Sequence, residues 1–384
     1  MKIGFISIPA PGHLNPMTAL ARTLQSRNHE IFMCLPDTEP FVRAAGLTFL
    51  PCCESEFPVD SVDEYVRGIG TLSDSTFCAN FTGMRLVRTI VFTLSMSLVT
   101  PTILAKMPAP LLVEPSVLPP AKSVLVFGQK IVYYDVGSGP TVVLLHGLAS
   151  QAMFDWGHVI MPPSQRHRVI ALDQVGFGGS DKPFIDYSIQ TFVDFLGEFL
   201  RTLGVQQFTL AGESLGGWIA ASYTIQAHAP GNTGAYALPK PERLILADPA
   251  GYSDSPSGSS RPIPGSLRDS AGIAIIFHDK SRVTEDFVRQ NFAIRVKAND
   301  GATQRSFWSN PQVARETVGE RLAGITVPTL IVWGANDELI PLDQGREYAT
   351  KIPNARLVVI PDCGHVPPLE NPEAFLSAMI PFLK

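Results

Sequence analysis

The chain has 384 residues, of which 45% are hydrophobic and 17% are charged. That length suggests about two domains, and the composition is that of a globular protein rather than a disordered one. The formal net charge of −5 gives no electrostatic reason to expect nucleic acid as a partner, so a small neutral or weakly polar substrate fits better.

The cysteines show neither the spacing of a zinc site nor that of a disulfide framework. Four of the five fall within the first 80 residues, and Cys363 is alone in the rest of the chain. We therefore expect no metal site, and no motif of the chain requires a cofactor.

The first segment of the chain opens with an apolar run, Lys2–Ile8, that predicts a buried strand. An amphipathic helix is predicted over Pro16–Arg27 and a second strand over Ile31–Leu35. Strand, helix and strand in this order begin a parallel, doubly wound sheet, so we expect a partial Rossmann-like βαβ fragment here.

The loop Gly12–Pro16 carries a resemblance. Residues 1–75 resemble the N-terminal domain of UDP-sugar-dependent glycosyltransferases of the macrolide and zeaxanthin type. The resemblance implies that His13 is the general base that deprotonates the acceptor hydroxyl. That family needs a second Rossmann-like domain for the nucleotide sugar, and nothing later in the chain resembles one. We interpret residues 1–83 as a truncated glycosyltransferase-like fragment in which His13 is idle.

Residues 84–105 have the layout of a secretory signal peptide, with the basic stretch Met84–Arg88, the apolar run Thr89–Val99 and a tail of small residues. A buried helix is the alternative. The eleven apolar residues are too few for a membrane-spanning helix, which takes about 20, so we expect no stable membrane span. If translation starts at Met84 the product is secreted or periplasmic, and if the full chain is the native product it is cytoplasmic. The proline-rich residues 106–120 form an extended linker.

From residue 121 to residue 384, short apolar runs alternate with helical stretches. This alternation predicts a mostly parallel sheet of eight strands that helices cover. The first two runs flank Gly128–Gln129 as a hairpin. The predicted strands are Val124–Phe127, Ile131–Tyr134, Thr141–Leu145, Arg168–Leu172, Phe208–Ala211, Arg243–Ala247, Thr329–Trp333 and Arg356–Ile360.

A G-x-S-x-G element, Gly212–Gly216, follows the strand that ends at Ala211 and precedes a helix. A serine in such an elbow occupies a strained turn, and its neighbours must lack a bulky Cβ. Gly212 and Gly216 meet that need. Ser214 is therefore the predicted nucleophile.

A serine hydroxyl is a weak nucleophile that needs a base and an acid to orient the base. Two later strands are each followed by a loop, and these loops supply Asp337 and His365 in the chain order Ser, Asp, His. Both loops open on the edge of the sheet where Ser214 is expected. Asp248, which ends another strand, is the alternative acid, and Glu338 is a further rival.

Acyl transfer also needs two backbone N–H donors for the developing oxyanion. The amide of Leu215, directly after the nucleophile, is one. The second is expected from His146–Ala149, the loop after the first parallel strand, and we predict the amide of Leu148. We interpret His146 as a packing residue of that loop.

Residues from about 252 to 325 interrupt the sheet and contain helical stretches such as Val283–Ile294. That is the position of a cap over the active site. Aromatic side chains after the oxyanion loop either line the pocket wall or serve core packing. Those of the cap either form an apolar acyl pocket or serve cap-to-sheet packing. The candidates for the pocket are Phe154, Trp156, Phe287, Phe292 and Trp308.

Together these motifs resemble the α/β-hydrolase superfamily over residues 121–384, in the single-cap branch of esterases, meta-cleavage-product hydrolases and cofactor-free haloperoxidases. Asp173–Pro183 is similar to that branch too, and its glycines are expected to shape a turn. The resemblance implies an α/β-hydrolase fold with a helical cap. Serine at position 214 argues against dehalogenases and epoxide hydrolases, which use aspartate there.

We expect a serine carboxylesterase that acts on a small to medium acyl ester through an acyl-enzyme. A C–C bond hydrolase of the meta-cleavage-product type, with the same triad, is the alternative within the enzyme class. Alternatives of other classes are a UDP-sugar-dependent glycosyltransferase fragment on residues 1–75 and a hydrolase-like scaffold without catalysis. The expected partner is a small-molecule ester, with no nucleic acid, and the sequence carries no signal for an oligomeric state.

Overall fold

The computed structural model of the chain describes residues 111–112, 118–253 and 263–384, together with the backbone of four short strands nearer the N-terminus. The chain divides into two compact units, residues 1–108 and 109–384. The larger unit contains every described helix.

The described backbone of the N-terminal unit is a parallel sheet. Its strands are β1 (Lys2–Ile6), β2 (Glu30–Cys34), β3 (Thr48–Phe49) and β4 (Val91–Phe92). They lie in the order β3, β2, β1, β4, and β1 and β2 fall in the two predicted strand segments. The helix predicted between them, His13, and the signal-peptide-like segment apart from β4 lie outside the described residues. The Rossmann-like fragment therefore stays a prediction.

The C-terminal unit is built on one sheet of eight strands, which confirms the predicted sheet. In chain order they are β5 (Lys122–Val126), β6 (Gln129–Val136), β7 (Thr141–Leu145), β8 (Arg168–Leu172), β9 (Gln207–Glu213), β10 (Lys240–Ala247), β11 (Thr329–Gly334) and β12 (Ala355–Ile360). They lie side by side in the order β12, β11, β10, β9, β7, β8, β6, β5. β6 runs antiparallel to β5 and β8, and all other neighbours are parallel.

Burial explains why these apolar runs are strands. β7, β9 and β11 bury nearly every side chain because both faces of the sheet are covered. The hairpin between β5 and β6 differs from the prediction by one residue. Its turn is Phe127–Gly128, with positive φ angles of 50° and 76° that suit the twist of the two strands, and Gln129 begins β6.

Local signals set several helix ends. The described helices are α1 (Ala152–Trp156), α2 (Met161–Ser164), α3 (Ile189–Thr202), α4 (Leu215–His228), α5 (Leu267–Ser270), α6 (Glu285–Ala298), α7 (Gly301–Ser309), α8 (Pro311–Arg315), α9 (Leu342–Lys351), α10 (Pro367–Glu370) and α11 (Pro372–Phe382). At the start of α3, Ser188 and Thr191 form a capping box. α6 ends at Asn299, whose left-handed backbone has a φ of 52°.

Two apolar clusters lie against the sheet. Val143 and Leu145 of β7 belong to the larger cluster, and Val142 and Leu144 belong to the second. Since successive strand residues face opposite sides, the clusters lie on the two faces of the sheet. α3, α4 and α9 contribute to the larger cluster, and α1 and α11 contribute to the second.

Between β10 and β11 the chain forms α5 to α8, at the position predicted for the cap. The helix predicted over Val283–Ile294 is α6. Residues 254–262 of this region lie outside the described residues. Within the described part of the chain, no helix has the length and apolar character needed to cross a membrane.

Candidate active site

Ser214 stands in the sharp turn between β9 and α4. Its backbone has a φ of 50° and a ψ of −115°, a conformation that few residues other than glycine adopt. Its amide donates to the carbonyl of Ala247 at 3.0 Å, and its carbonyl accepts from the amides of Trp218 at 3.1 Å and Ala250 at 3.0 Å. Bonds to both neighbouring elements therefore hold the strained turn at the carboxyl end of β9.

The two glycines beside the nucleophile are required by close backbone contacts. A Cβ on Gly212 would lie 2.1 Å from the carbonyl oxygen of Gly216. A Cβ on Gly216 would lie 2.2 Å from the carbonyl oxygen of Leu145. Only glycine fits at either position, because the strand, the turn and the helix approach each other there through their backbones.

The structure brings the three predicted triad residues together. Nε2 of His365 lies 2.9 Å from Oγ of Ser214, and Nδ1 of His365 lies 2.7 Å from Oδ2 of Asp337. The side chains of His365 and Asp337 are 3% and 0% exposed, so water is excluded from their contact. Because the carboxylate accepts the Nδ1 proton, Nε2 can accept the proton of the serine hydroxyl.

The loop after β11 fixes the carboxylate of Asp337. Its Oδ1 accepts from the amides of Leu339 at 2.7 Å and Ile340 at 2.9 Å. Oδ2 is left for the imidazole of His365. Three N–H donors therefore satisfy one buried carboxylate, which suits an acid that orients a base.

The two rival acids are placed differently. Asp248 is fully buried, its Oδ1 accepts from the amide of Gly334 at 3.0 Å, and its Oδ2 has no hydrogen-bond partner among the described residues. Burial and the neighbouring charge of Asp337 raise the pKa of Asp248 well above its usual range, which disfavours its ionised form. Glu338 is exposed and forms an ion pair with Lys280 at 2.8 Å.

The loop that carries His365 is tied to the cap. The amide of His365 donates to the carbonyl of Ile276 at 2.8 Å. The buried Glu370 accepts from the amide of Gly364 at 2.6 Å and from that of His278 at 3.1 Å. Sequence reasoning missed Glu370, since nothing in its local pattern marks a side chain that joins two loops.

The loop after β7 lies directly against the nucleophile. A Cβ on Gly147 would come within 3.3 Å of Cβ of Ser214, and the Gly147 amide is engaged by Oδ2 of Asp155 at 2.7 Å. The next amide in the loop is that of Leu148. On the other side of the nucleophile, the Leu215 amide is the first of α4, where helix amides have no intrahelical acceptor. Of the two predicted oxyanion donors, Leu215 therefore follows Ser214 directly in the chain. Leu148 belongs to the loop that lies against Ser214.

His146 packs inside that loop and is fully buried. Its Nδ1 lies 2.7 Å from the carbonyl of Gly147, and its Nε2 accepts from the amide of Gln174 at 3.0 Å. Both ring nitrogens are engaged by backbone groups, so His146 is a packing residue, as predicted. Gln174 opens the glycine-rich turn, in which Gly176 and Gly178 have positive φ angles of 89° and 51°.

Glu213, the last residue of β9, was not singled out from the sequence. Its side chain is 2% exposed, and its Oε1 lies 3.7 Å from Nε2 of His365 with no hydrogen-bond partner among the described residues. Burial raises the pKa of Glu213 well above its usual range, and the charge of Asp155 and a hydrogen bond with that side chain raise it further. A buried carboxyl group that resists ionisation therefore lies beside the triad histidine.

Two of the predicted pocket residues come together near the triad. The rings of Phe154 and Phe287 lie 6.2 Å apart, in an apolar cluster that also contains Val366, the residue after the triad histidine. Trp156 is instead fully buried in the second core cluster, with its ring 5.9 Å from that of Phe375. Trp156 therefore serves core packing, the alternative to a pocket position that the sequence left open.

The remaining pocket candidates, Trp308 and Phe292, lie in different surroundings. Trp308 packs against the larger core cluster, 5.5 Å from the ring of Phe307, which is the cap-to-sheet packing that the sequence left open. Phe292 is half-buried on α6 and belongs to none of the apolar clusters of the described residues.

The inner face of α6 carries two polar side chains that sequence reasoning missed. Asn291 is 4% exposed, and its Oδ1 has no partner among the described residues. One turn later, the guanidinium of Arg295 donates to the carbonyl of Ala149 at 3.3 Å and to Gln304 at 3.5 Å, and it forms no ion pair with a described carboxylate. Burial lowers the pKa of Arg295. Because Ala149 follows Leu148, a cation lies against the oxyanion loop.

The sequence profile of the α/β hydrolase fold matches residues 140–372, which is more than half of the chain. The chain therefore belongs to the α/β-hydrolase family and is an enzyme of that family. The matched segment runs from the residue before β7 into α11 and includes all three triad positions. The glycosyltransferase resemblance of residues 1–75 falls outside it and has no support from it.

Relatives within the family carry names of two chemical kinds. The 2-hydroxy-6-oxo-6-(2'-aminophenyl)hexa-2,4-dienoic acid hydrolase of Metapseudomonas resinovorans is 26% identical, over 67% of this chain and 88% of its own. A solved meta-cleavage product hydrolase from Pseudomonas fluorescens is 26% identical with a TM-score of 0.59, covering 68% of this chain and 97% of that one. A solved membrane phospholipase A, described as a bacterial virulence factor, is 26% identical with a TM-score of 0.54, covering 69% and 85%.

Proposed function

We propose that Ser214, His365 and Asp337 are the nucleophile, base and orienting acid of an acyl-transfer reaction. Oγ of Ser214 attacks a substrate carbonyl carbon while its proton passes to Nε2 of His365. The amides of Leu148 and Leu215 stabilise the oxyanion. His365 then gives the proton to the leaving group, and water releases the acyl group from the serine. The continuous hydrogen bonds of 2.9 and 2.7 Å through the imidazole carry this proposal.

We further propose that the scissile bond is a carbon–carbon bond in a 2-hydroxy-6-oxo-dienoic acid, the alternative that the sequence left open. The names of the Metapseudomonas and Pseudomonas relatives support this assignment. In such a substrate the serine attacks the oxo carbon, and the electron pair of the broken bond is left on carbon. The conjugated chain takes up that pair when the 2-hydroxy group has become a ketone, which makes carbon a competent leaving group.

The position of Arg295 supports a substrate that carries a carboxylate. Its guanidinium is partly shielded and contacts the carbonyl of Ala149. The charge of Asp300 acts on it, but no described carboxylate forms a salt bridge with it. A substrate carboxylate would supply that partner, because arginine binds carboxylates with paired N–H donors. The free Oδ1 of Asn291, one turn away on α6, can accept a hydrogen bond from a substrate hydroxyl group.

Ester hydrolysis by the same triad is the second candidate, and it was the leading expectation from the sequence. The likeness to the phospholipase favours it. The apolar cluster of Phe154, Phe287 and Val366 supports an acyl chain as well as it supports a dienoate.

A direct comparison of substrates tests the proposal. The purified chain is expected to cleave a 2-hydroxy-6-oxo-dienoic acid, followed by the loss of its dienoate absorbance, with a higher kcat/KM than a short-chain p-nitrophenyl ester. Ser214→Ala is expected to abolish both reactions and labelling by a fluorophosphonate probe. Turnover of the ester alone would replace the first candidate with the second, and turnover that survives the serine substitution would refute both.

Arg295→Gln tests the carboxylate contact. We expect KM for the dienoic acid to rise about tenfold, since a charge-assisted hydrogen bond is lost, while KM for a neutral ester is unchanged. Arg289→Gln, at an exposed position of the same helix, is the matched control. Equal effects of the Arg295 substitution on both substrates would exclude a specific carboxylate site.

A further inference from the structure

Glu213 is a buried carboxyl group that the triad mechanism does not use. It ends β9 and directly precedes Ser214, so its position is as fixed as that of the nucleophile. Its Oε2 lies 2.4 Å from the place that a Cβ on Gly147 would occupy, which puts it against the backbone of the oxyanion loop. Its Oε1 faces Nε2 of His365 at 3.7 Å and has no hydrogen-bond partner among the described residues. The side chain of Glu213 thus lies between the oxyanion loop and the imidazole of His365.

The groups around Glu213 disfavour a negative charge on it. Asp155 of α1 faces it from one side and is itself bound to the oxyanion-loop amide of Gly147. Asp248 and Asp337 face it from the loops after β10 and β11. The groups whose charges act on Glu213 are therefore acids. A protonated carboxyl group is stable in this setting, whereas a carboxylate would be repelled by Asp155 and Asp337.

We propose that Glu213 is a positioning residue that acts through His365 in its neutral form. Its Oε1 is an acceptor for the Nε2 proton in the tetrahedral intermediate, after the serine has given up that proton and before the leaving group receives it. Its neutrality keeps a negative charge away from the oxyanion held by Leu148 and Leu215. The proposal rests on the triad function proposed above. It adds the requirement that the carboxyl group of Glu213 keep its proton.

Loss of that proton has a predictable consequence. A carboxylate 3.7 Å from Nε2 would form an ion pair with the imidazolium and hold the proton that the leaving group must receive. The same charge would oppose the oxyanion. Activity is therefore expected to fall on the alkaline side as Glu213 ionises, while the serine, the histidine and the acid remain intact.

Glu213→Gln separates this role from a structural one, because the amide is neutral at all pH values and keeps an acceptor oxygen. We expect the wild-type kcat/KM, measured between about pH 6 and 10, to fall on the alkaline side. The Gln variant is expected to stay active and to keep its rate over that alkaline range. Glu338→Gln, an exposed glutamate next to Asp337, is the matched control and should reproduce the wild-type profile.

Glu213→Leu tests the acceptor itself. It removes Oε1 without opening a large cavity, and kcat is expected to fall about tenfold with KM unchanged, provided that circular dichroism shows a folded chain. Identical alkaline profiles of wild type and Glu213→Gln, an inactive but folded Gln variant, or a wild type without an alkaline fall would each overturn the proposal. A wild-type chain that neither turns over substrate nor reacts with a fluorophosphonate would instead overturn the triad function.

Discussion

At the scale of single residues, a carboxylate with all its acceptors occupied lies next to a carboxyl group with a free oxygen. Asp337 receives two backbone amides and the imidazole, whereas Asp248 receives one amide. Each fixed N–H donor stabilises a carboxylate, and Asp337 has three such donors whereas Asp248 has one. The role of triad acid therefore follows from the loop after β11 and not from distance alone.

Asp337→Asn is expected to lower kcat by about 10³- to 10⁴-fold, because an amide in place of the carboxylate favours the wrong imidazole tautomer. Steady-state kinetics with the preferred substrate gives the comparison. The matched variant Asp248→Asn keeps the oxygen that accepts from Gly334 and should remain active. A larger loss from the Asp248 change than from the Asp337 change would exchange the two roles.

The raised pKa of Asp248 makes stability depend on pH. Below the usual carboxyl range the group is protonated in the folded and the unfolded chain, so its contribution is fully present. As the pH rises through that range, only the unfolded chain loses the proton, and stability declines until the raised pKa is reached. Asp248→Asn should therefore lose less unfolding free energy than wild type between about pH 4 and pH 8, because the amide has no proton to lose. Urea melts at the two pH values would contradict this if the two chains lost stability in parallel.

The motifs of the sequence specify the triad residues but not their surroundings. Ser214, Asp337 and His365 each follow a strand, so their meeting could be predicted from chain order. Glu213 and Arg295 could not, because their importance depends on burial and on partners that they lack. A missing partner is a property of the folded site and leaves no pattern in the chain.

At the scale of elements, backbone contacts constrain the turn between β9 and α4 tightly. Gly216→Ala would place a methyl group 2.2 Å from the carbonyl of Leu145 and 2.7 Å from that of His146. We expect a loss of about 3 kcal/mol of unfolding free energy and little remaining activity, because backbone atoms of the oxyanion loop would have to move. Gly231→Ala, at an exposed glycine with open space around it, should leave the melting temperature unchanged. Similar stability of the two variants would contradict the steric argument.

Strands were easier to predict than helices in this chain. Thr141–Leu145 and Arg168–Leu172 are observed with the predicted bounds. A short apolar run that is buried on both faces is typical of a central strand in such a sheet. The hairpin turn lies one residue before its predicted position. Phe127 adopts a positive φ there, and nothing about a phenylalanine side chain predicts that conformation. The cap helices have weaker apolar patterns, and α6 extends four residues beyond the predicted end at Ile294.

At the scale of the whole molecule, every described residue of the site belongs to the unit formed by residues 109–384. A chain that lacks residues 1–108 is therefore expected to fold and to keep the kcat/KM of the full chain. Leu111, which packs in the apolar cluster beside Val366, is retained in that truncation. A soluble but inactive truncated protein would assign the N-terminal unit a part in catalysis.

The hydrogen bonds of Glu370 and of the His365 amide have a consequence for how this enzyme could be re-engineered. The amide of His365 donates to Ile276, and Glu370 joins the His365 loop to His278. Both cap residues precede α6, so the position of the imidazole depends on the cap. A chimera that carries another cap on this open sheet is expected to disturb proton transfer even if every residue that touches substrate is restored. We therefore expect substitutions in the cap that change substrate selectivity to change the turnover number as well.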